Sequence, residues 1–152
     1  MNIEIKEISE SDYNKLKYPV LFENKLTDRV FGIISNGINE YKFSWQSTII
    51  KPKVIDVDDF RCSISIDLVF LIFEFLTGKI LLQLTLDYFF YDTKIYNGFI
   101  YVITELEIIK ISTKDLLVIE RFALPDYFEN IEFNEEIILV KCVGDEIVNI
   151  KL

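Results

Sequence analysis

Short runs of Ile, Val, Phe and Tyr, cut at intervals by turn-forming pairs, constrain this chain more than any other feature of its sequence. β-Branched and aromatic side chains fit a pleated, half-buried surface and lose rotamer freedom in a helix, so such runs favour strands. Tyr41, Phe43 and Trp45 alternate with Lys42, Ser44 and Gln46, the period-two signature of a strand with one face in the core. The same period returns at Val148, Ile150 and Leu152. Residues 99–103 and 137–140 are apolar without interruption, which predicts strands covered on both faces. Asn36-Gly37 lies between residues 30–35 and 38–45, and Asn97-Gly98 between 93–96 and 99–104. Both residues of Asn-Gly tolerate positive φ, so each pair predicts a two-residue type I′ hairpin. Gly144-Asp145 is a similar pair, and Thr77-Gly78 and residues 113–115 are weaker signals at comparable places. Helical spacing is confined to residues 9–17, where Ser11 is positioned to cap a short turn and Pro19 limits its extent. The expected class is all-β, in consecutive antiparallel meanders, with at most one short helix.

The 152 residues are of single-domain size, with an N-terminal hairpin region over 1–53 and a repeat-like meander region over 54–152. The repeat emerges when residues 73–104 are set against 109–142. Leu81 then answers Leu117, Asp87-Tyr88-Phe89 answers Asp126-Tyr127-Phe128, Asn97 answers Asn134, and Val102 answers Val140. A more degenerate copy starts near Asp59-Phe60. A period near 40 residues with four short strands per unit is the mark of a propeller blade. The phrase YNGFIYVITELEIIKISTKDLLVIERF, residues 96–122, resembles β-propeller blades of the quinoprotein and WD-like kind, although no Trp-Asp or Gly-His dipeptide stands at repeat positions. A closed propeller takes four or more blades of roughly 40 residues, and a chain of this length holds three at most. The resemblance therefore implies an open half-propeller, the alternative being a curved β-sandwich. An open fragment leaves two sheet edges to be protected by charge, short strands or pairing.

Composition removes most chemistries. Histidine is absent, which excludes Ser-His and Cys-His nucleophile activation and His-ligated metals. Cys62 and Cys142 are too few for a disulfide framework or a thiolate zinc site, and read as core thiols. Asp56, Asp58 and Asp59 lack the loop glycine and distal glutamate of an EF-hand, and read as a solvent-facing strand end. The five glycines are dispersed, with no phosphate-binding loop. No catalytic residue, cofactor or metal is expected. The first residues lack the basic start and apolar stretch of a secretory signal, and no apolar run approaches the roughly 18 residues of a membrane span. A cytoplasmic protein with reduced thiols is expected.

Charge carries the functional argument. The net charge is −9, a poor match for nucleic acid or an anionic membrane, so neither is expected as a direct ligand. Residues 1–53 carry +1, 54–94 carry −4 and 95–152 carry −6. The acidic excess thus belongs to the repeat-like part. Asp87, Asp92, Asp126, Glu129, Glu132, Glu135 and Glu136 are the candidate partner-binding acids, with Tyr88, Tyr91 and Tyr127 as aromatic anchors. Acids steer a basic partner and aromatic rings supply contact area. A small, acidic chain without chemistry of its own resembles, in type, the immunity proteins of contact-dependent and other polymorphic bacterial toxin systems. That resemblance implies a cognate basic toxin domain, an RNase or DNase, whose active site is blocked. The alternative is a non-catalytic, propeller-like protein-interaction scaffold.

Overall fold

The computed structural model describes residues 1–25, 29–46 and 50–152. The chain divides into two compact units, Met1–Thr85 and Leu86–Leu152, and each consists of two sheets around its own core. The first sheet of unit 1 holds β1 (Glu4–Ile8), β2 (Val20–Glu23), β3 (Val30–Ser35) and β4 (Glu40–Trp45), in the spatial order β1-β3-β4-β2. β1, β3 and β4 pair antiparallel, whereas β2 runs parallel to β4, a departure from a simple meander. The second sheet is a sequential meander of β5 (Lys53–Asp56), β6 (Arg61–Ile66), β7 (Val69–Glu74) and β8 (Ile80–Thr85).

Alternation decides which side chains meet. Ile34, Tyr41, Phe43 and Trp45 of the first sheet join Cys62, Ile64, Leu71 and Phe73 of the second in one buried cluster. Trp45 stacks on Phe43 with ring centroids 4.9 Å apart. The opposite face of the first sheet carries Phe31 and Lys42 and is covered by the helix α1 (Glu10–Lys15). Tyr13 of α1 lies 4.8 Å from Phe31, centroid to centroid. The Lys42 ammonium donates to the carbonyls of Tyr13 and Leu16, each at 3.0 Å. The helix cap is Ser9, not Ser11: its Oγ accepts from the Asp12 N–H at 3.1 Å. Glu10 and Asp12 in the first turn and Lys15 in the last suit the helix dipole.

Unit 2 repeats the sequential arrangement. Its first sheet is β9 (Phe90–Tyr96), β10 (Phe99–Thr104), β11 (Glu107–Ser112) and β12 (Val118–Ala123). Its second has three strands, β13 (Phe128–Phe133), β14 (Ile137–Cys142) and β15 (Ile147–Lys151). Tyr101, Ile103, Ile108, Ile138, Val140 and Ile150 form its buried cluster.

The fold class expected from sequence is the one found, and several details differ. Four sheets are present where length allowed three blades. Strands of four to seven residues joined by short turns complete a four-stranded sheet within Lys53–Thr85 and again within Phe90–Ala123, below the roughly 40 residues of a blade. Asp87-Tyr88 and Asp126-Tyr127 do occupy matching connections, leading into β9 and β13, with Phe89 just before β9 and Phe128 the first residue of β13, and Val102 and Val140 sit at the same place in β10 and β14. Leu81 and Leu117 do not match, because Leu117 lies in the turn before β12 while Leu81 is inside β8. Nor do Asp59-Phe60 start a copy, since they fall between the first and second strands of a sheet. Asn97 and Gly98, at φ 48° and 78°, make the expected two-residue turn. Asn36-Gly37 instead belongs to a four-residue loop, in which Asn36 Oδ1 accepts from the N–H groups of Ile38 and Asn39 at 3.0 and 2.8 Å. β10 is buried on both faces, but β14 alternates between buried and half-buried positions, so its apolar run does not mark a doubly covered strand.

Candidate protein-interaction surface

The antiparallel register of unit 2 brings four connections to one end: residues 86–89, 105–106, 124–127 and 143–146. Backbone hydrogen bonds stitch them into a continuous ridge. Glu105 N–H donates to the Phe89 carbonyl at 3.0 Å, Leu124 N–H to Leu106 at 2.9 Å, Phe128 N–H to Glu105 at 2.8 Å and Val143 N–H to Tyr127 at 2.8 Å. Leu86 and Leu124, both buried, anchor the first and third connections. The Tyr91 ring meets the Phe128 ring edge-on at 5.0 Å, tying the start of β9 to the start of β13.

These four connections contain Asp87, Glu105, Asp126, Asp145 and Glu146, and no lysine or arginine. Unit 2 as a whole has thirteen acidic and six basic residues. Three bases of unit 2 are engaged by acids: Lys94 with Asp92 at 3.0 Å, Arg121 with Glu107 at 3.3 Å, and Lys141 with Asp145 at 3.7 Å and Glu129 at 3.9 Å. Among the described residues, Asp87, Glu105 and Asp126 have no lysine or arginine within salt-bridge distance. The rings around them stand in solvent, with Tyr91 57%, Tyr127 55%, Phe89 47% and Tyr88 39% exposed. The local field registers on Cys142, at the end of β14. Burial pushes its thiol up, and the carboxylates of Asp126, Glu146 and Glu129 act in the same direction against a hydrogen bond from the Asp126 backbone.

Of the residues singled out from sequence, this end gathers Asp87, Tyr88, Tyr91, Asp92, Asp126, Tyr127 and Glu129. Asp92 and Glu129 come with lysine partners. Glu132 projects from the far half of β13, opposite Leu139. Glu135 and Glu136 lie in the β13–β14 turn at the other end, where Asn134 Oδ1 accepts from the N–H groups of Glu136 and Ile137 at 3.0 and 2.8 Å. A six-residue strand at about 3.3 Å per residue spans roughly 20 Å, more than two screening lengths of about 8 Å at physiological ionic strength. The two ends are therefore electrostatically separate. Phe89, Glu105, Asp145 and Glu146 complete the ridge and escaped the sequence argument. The signal for them is topological: every second connection of an antiparallel meander returns to the same end.

Other candidates resolve into structure. Asp58 clamps the turn before β6: its Oδ1 accepts from Phe60 and Arg61 N–H at 2.9 and 2.8 Å, and its Oδ2 from Arg61 Nε at 2.7 Å. Burial opposes its charge, but the Arg61 side chain and the two N–H groups hold its carboxyl below the usual carboxylate range. Among the described residues no group of three or more Asp, Glu and Cys side chains is arranged to hold a metal ion. Both cysteines are buried, and burial, reinforced by Asp56, pushes the Cys62 thiol up to about 12. No helix among the described residues is long and apolar enough to cross a membrane.

No protein-family model matches the chain, and no curated protein does. Solved structures do. The computationally designed Ika4 protein aligns over 90% of this chain and 93% of its own, with TM-score 0.58 and 6% identity. The designed Ika8 protein aligns over 88% of this chain and 46% of its own, with TM-score 0.56 and 8% identity. Hsv2 of Kluyveromyces marxianus aligns over 90% of this chain and 49% of its own, with TM-score 0.51 and 13% identity. The chain thus spans about half the length of Ika8 and Hsv2. At these identities the likeness concerns the fold alone: a propeller-like set of consecutive sheets. It favours the propeller-like expectation over an ordinary sandwich, and it carries nothing for the immunity-protein resemblance.

Proposed function

We propose that the chain is a non-catalytic, propeller-like scaffold for protein interaction, and that the acidic, aromatic end of unit 2 receives a basic partner. The observation that carries this is the conjunction at one end of five carboxylates, of which Asp145 alone lies near a base, Lys141 at 3.7 Å, with four exposed aromatic rings. Carboxylates clustered on one surface steer a positively charged partner and raise its encounter rate. Tyr and Phe rings add large contact area with few rotatable bonds to immobilise. The connecting loops are held by backbone hydrogen bonds, so little ordering cost remains at the moment of binding. The chemistry specifies an Arg- and Lys-rich protein surface; a nuclease toxin domain is one member of that class.

The test compares two charge reversals that change net charge equally. Asp87→Lys with Asp126→Lys alters the ridge, and Glu135→Lys with Glu136→Lys alters the opposite end. With an oligo-arginine peptide as probe, the first pair slows association by roughly tenfold or more and flattens its salt dependence, while the second has a much smaller effect. Equal effects from both pairs would mean that only net charge matters, and the assignment of this end would fail.

A further inference from the structure

The three most exposed large apolar side chains among the described residues are Ile38, Phe60 and Leu76, at 87%, 74% and 72%. They come from three separate connections of unit 1: β3–β4, β5–β6 and β7–β8. Those connections are neighbours. Asn39 Nδ2 donates to the Leu76 carbonyl at 3.3 Å, and Phe75 N–H to the Phe60 carbonyl at 3.1 Å. Scattered exposed hydrophobics are ordinary, but the three extremes meeting at one end of one unit are a patch.

A pocket of 390 Å³ opens between Ile38 and Leu76, walled also by Tyr18 and Pro19 and backed by Tyr41 and Glu40. Its size is within the range of ligand pockets, about 300–1,000 Å³. The back wall is rigid. Tyr41 donates its O–H to the Phe75 carbonyl at 2.6 Å, and its ring lies against Gly78 and edge-on to Phe73 and Phe75. Among the described residues, Glu40 is the one charged residue lining the pocket. The nearby Glu40 carboxylate raises the Tyr18 pKa.

We propose that this pocket docks an extended peptide segment in which a Lys or Arg stands between apolar residues. The aliphatic stem of the basic side chain lies along Pro19, Ile38 and Leu76 and its cationic head meets the Glu40 carboxylate; the flanking apolar residues cover the patch toward Phe60. A long basic side chain is suited to such a site because it combines an apolar stem with a charged tip. A membrane surface is the poorer match, since inserting Ile38, Phe60 and Leu76 would carry the carboxylates of Glu40, Asp59 and Glu74 into the interface. This site lies in unit 1 and does not depend on the role assigned to unit 2.

The experiment measures fluorescence anisotropy of a labelled, end-blocked peptide of alternating Leu and Lys. Peptides of alternating Leu and Glu and of alternating Ser and Lys serve as comparators, together with vesicles of phosphatidylcholine with and without phosphatidylserine. The Leu-Lys peptide binds the native protein, and both comparator peptides bind at least about tenfold more weakly. Ile38→Ser, Leu76→Ser and Glu40→Gln each weaken it by about tenfold or more. Ile38 and Leu76 are exposed, so those two variants stay folded, which the emission of buried Trp45 verifies. The proposal is overturned if any comparator peptide binds as well, or if the three variants bind like the native protein. Loss of binding only on reversing Asp87 and Asp126 overturns it as well, and assigns the peptide to unit 2. Vesicle binding that Phe60→Ser abolishes would identify the patch as a membrane contact instead.

Discussion

Replacing Gly78 by alanine puts the packing of unit 1 to a quantitative test. Gly78 has φ 73°, and a Cβ there would stand 2.4 Å from Tyr41 Cε1 and 3.0 Å from Cζ. The left-handed backbone alone costs an alanine roughly 1–2 kcal/mol. Tyr41 is buried and has little room to yield, because its hydroxyl is held by Phe75 and its ring by Phe73 and Phe75. Displacing it forfeits about 0.5–1.5 kcal/mol of hydrogen bond and about as much in ring contacts. The reduced freedom of the unfolded chain returns about 0.4–1 kcal/mol. Gly78→Ala is therefore expected to destabilise by about 2–3 kcal/mol. Gly37 supplies the control: its φ is 88°, but no atom lies within 4 Å of a Cβ, so Gly37→Ala loses only the backbone cost, about 1 kcal/mol net. Trp45, the single tryptophan, is buried in the same core, so its emission during urea unfolding reports this unit. The Gly78 variant unfolds at a clearly lower urea midpoint than the Gly37 variant, with unchanged slope. Equal midpoints would refute the tight contact with Tyr41.

Three further outcomes follow from the geometry. Gly32→Ala brings a Cβ to 2.8 Å from Trp45 Cζ3 and 3.1 Å from the Lys6 carbonyl; overpacking of this kind costs about 1–3 kcal/mol, read by the same Trp45 emission, and a neutral result would contradict the contact. Burial raises the pKa of the Cys62 thiol and of the Tyr13, Tyr41 and Tyr101 phenols. The unfolded chain ionises these groups at their ordinary values, about 8.5 and 10. Their contribution is thus intact below about pH 8.5 and is lost progressively as pH rises toward the folded values; urea midpoints that hold steady up to pH 11 would contradict this. Asp58→Ala removes the clamp on Phe60 and Arg61 and costs about 1 kcal/mol at neutral pH. That difference from the native protein shrinks as acid protonates Asp58, because a carboxyl lowered by folding contributes above its unfolded pKa of about 3.9 and loses that contribution as pH falls. A difference independent of pH would contradict the ionic clamp.

Much of the strand content was legible because it is local. The alternation of Tyr41, Phe43 and Trp45, the Asn97-Gly98 turn and the match of Asp87-Tyr88-Phe89 to Asp126-Tyr127-Phe128 all rest on neighbours in sequence. What escaped depends on distant partners. β2 pairs parallel with β4 across the intervening β3, and no residue of Val20–Glu23 announces that. Asn36 uses its side chain to cap a longer loop, which an Asn-Gly pair does not distinguish from a two-residue turn. The acids illustrate the same limit. Asp126 and Glu135 are close in sequence and lie at opposite ends of β13, whereas Glu105 and Asp126 are far apart in sequence and share a ridge. Sequence density of charge locates a charged strand and its turns; only the register says which turns meet.

The most direct test of the interaction surface is a map of backbone amide chemical shifts on titration with the oligo-arginine peptide, at low and at high salt. Shifts should concentrate at residues 86–89, 105–106, 124–127 and 143–146 and fade as salt is added. Shifts spread evenly over unit 2, or centred on the opposite turns at 97–98, 113–117 and 134–136, would contradict the account.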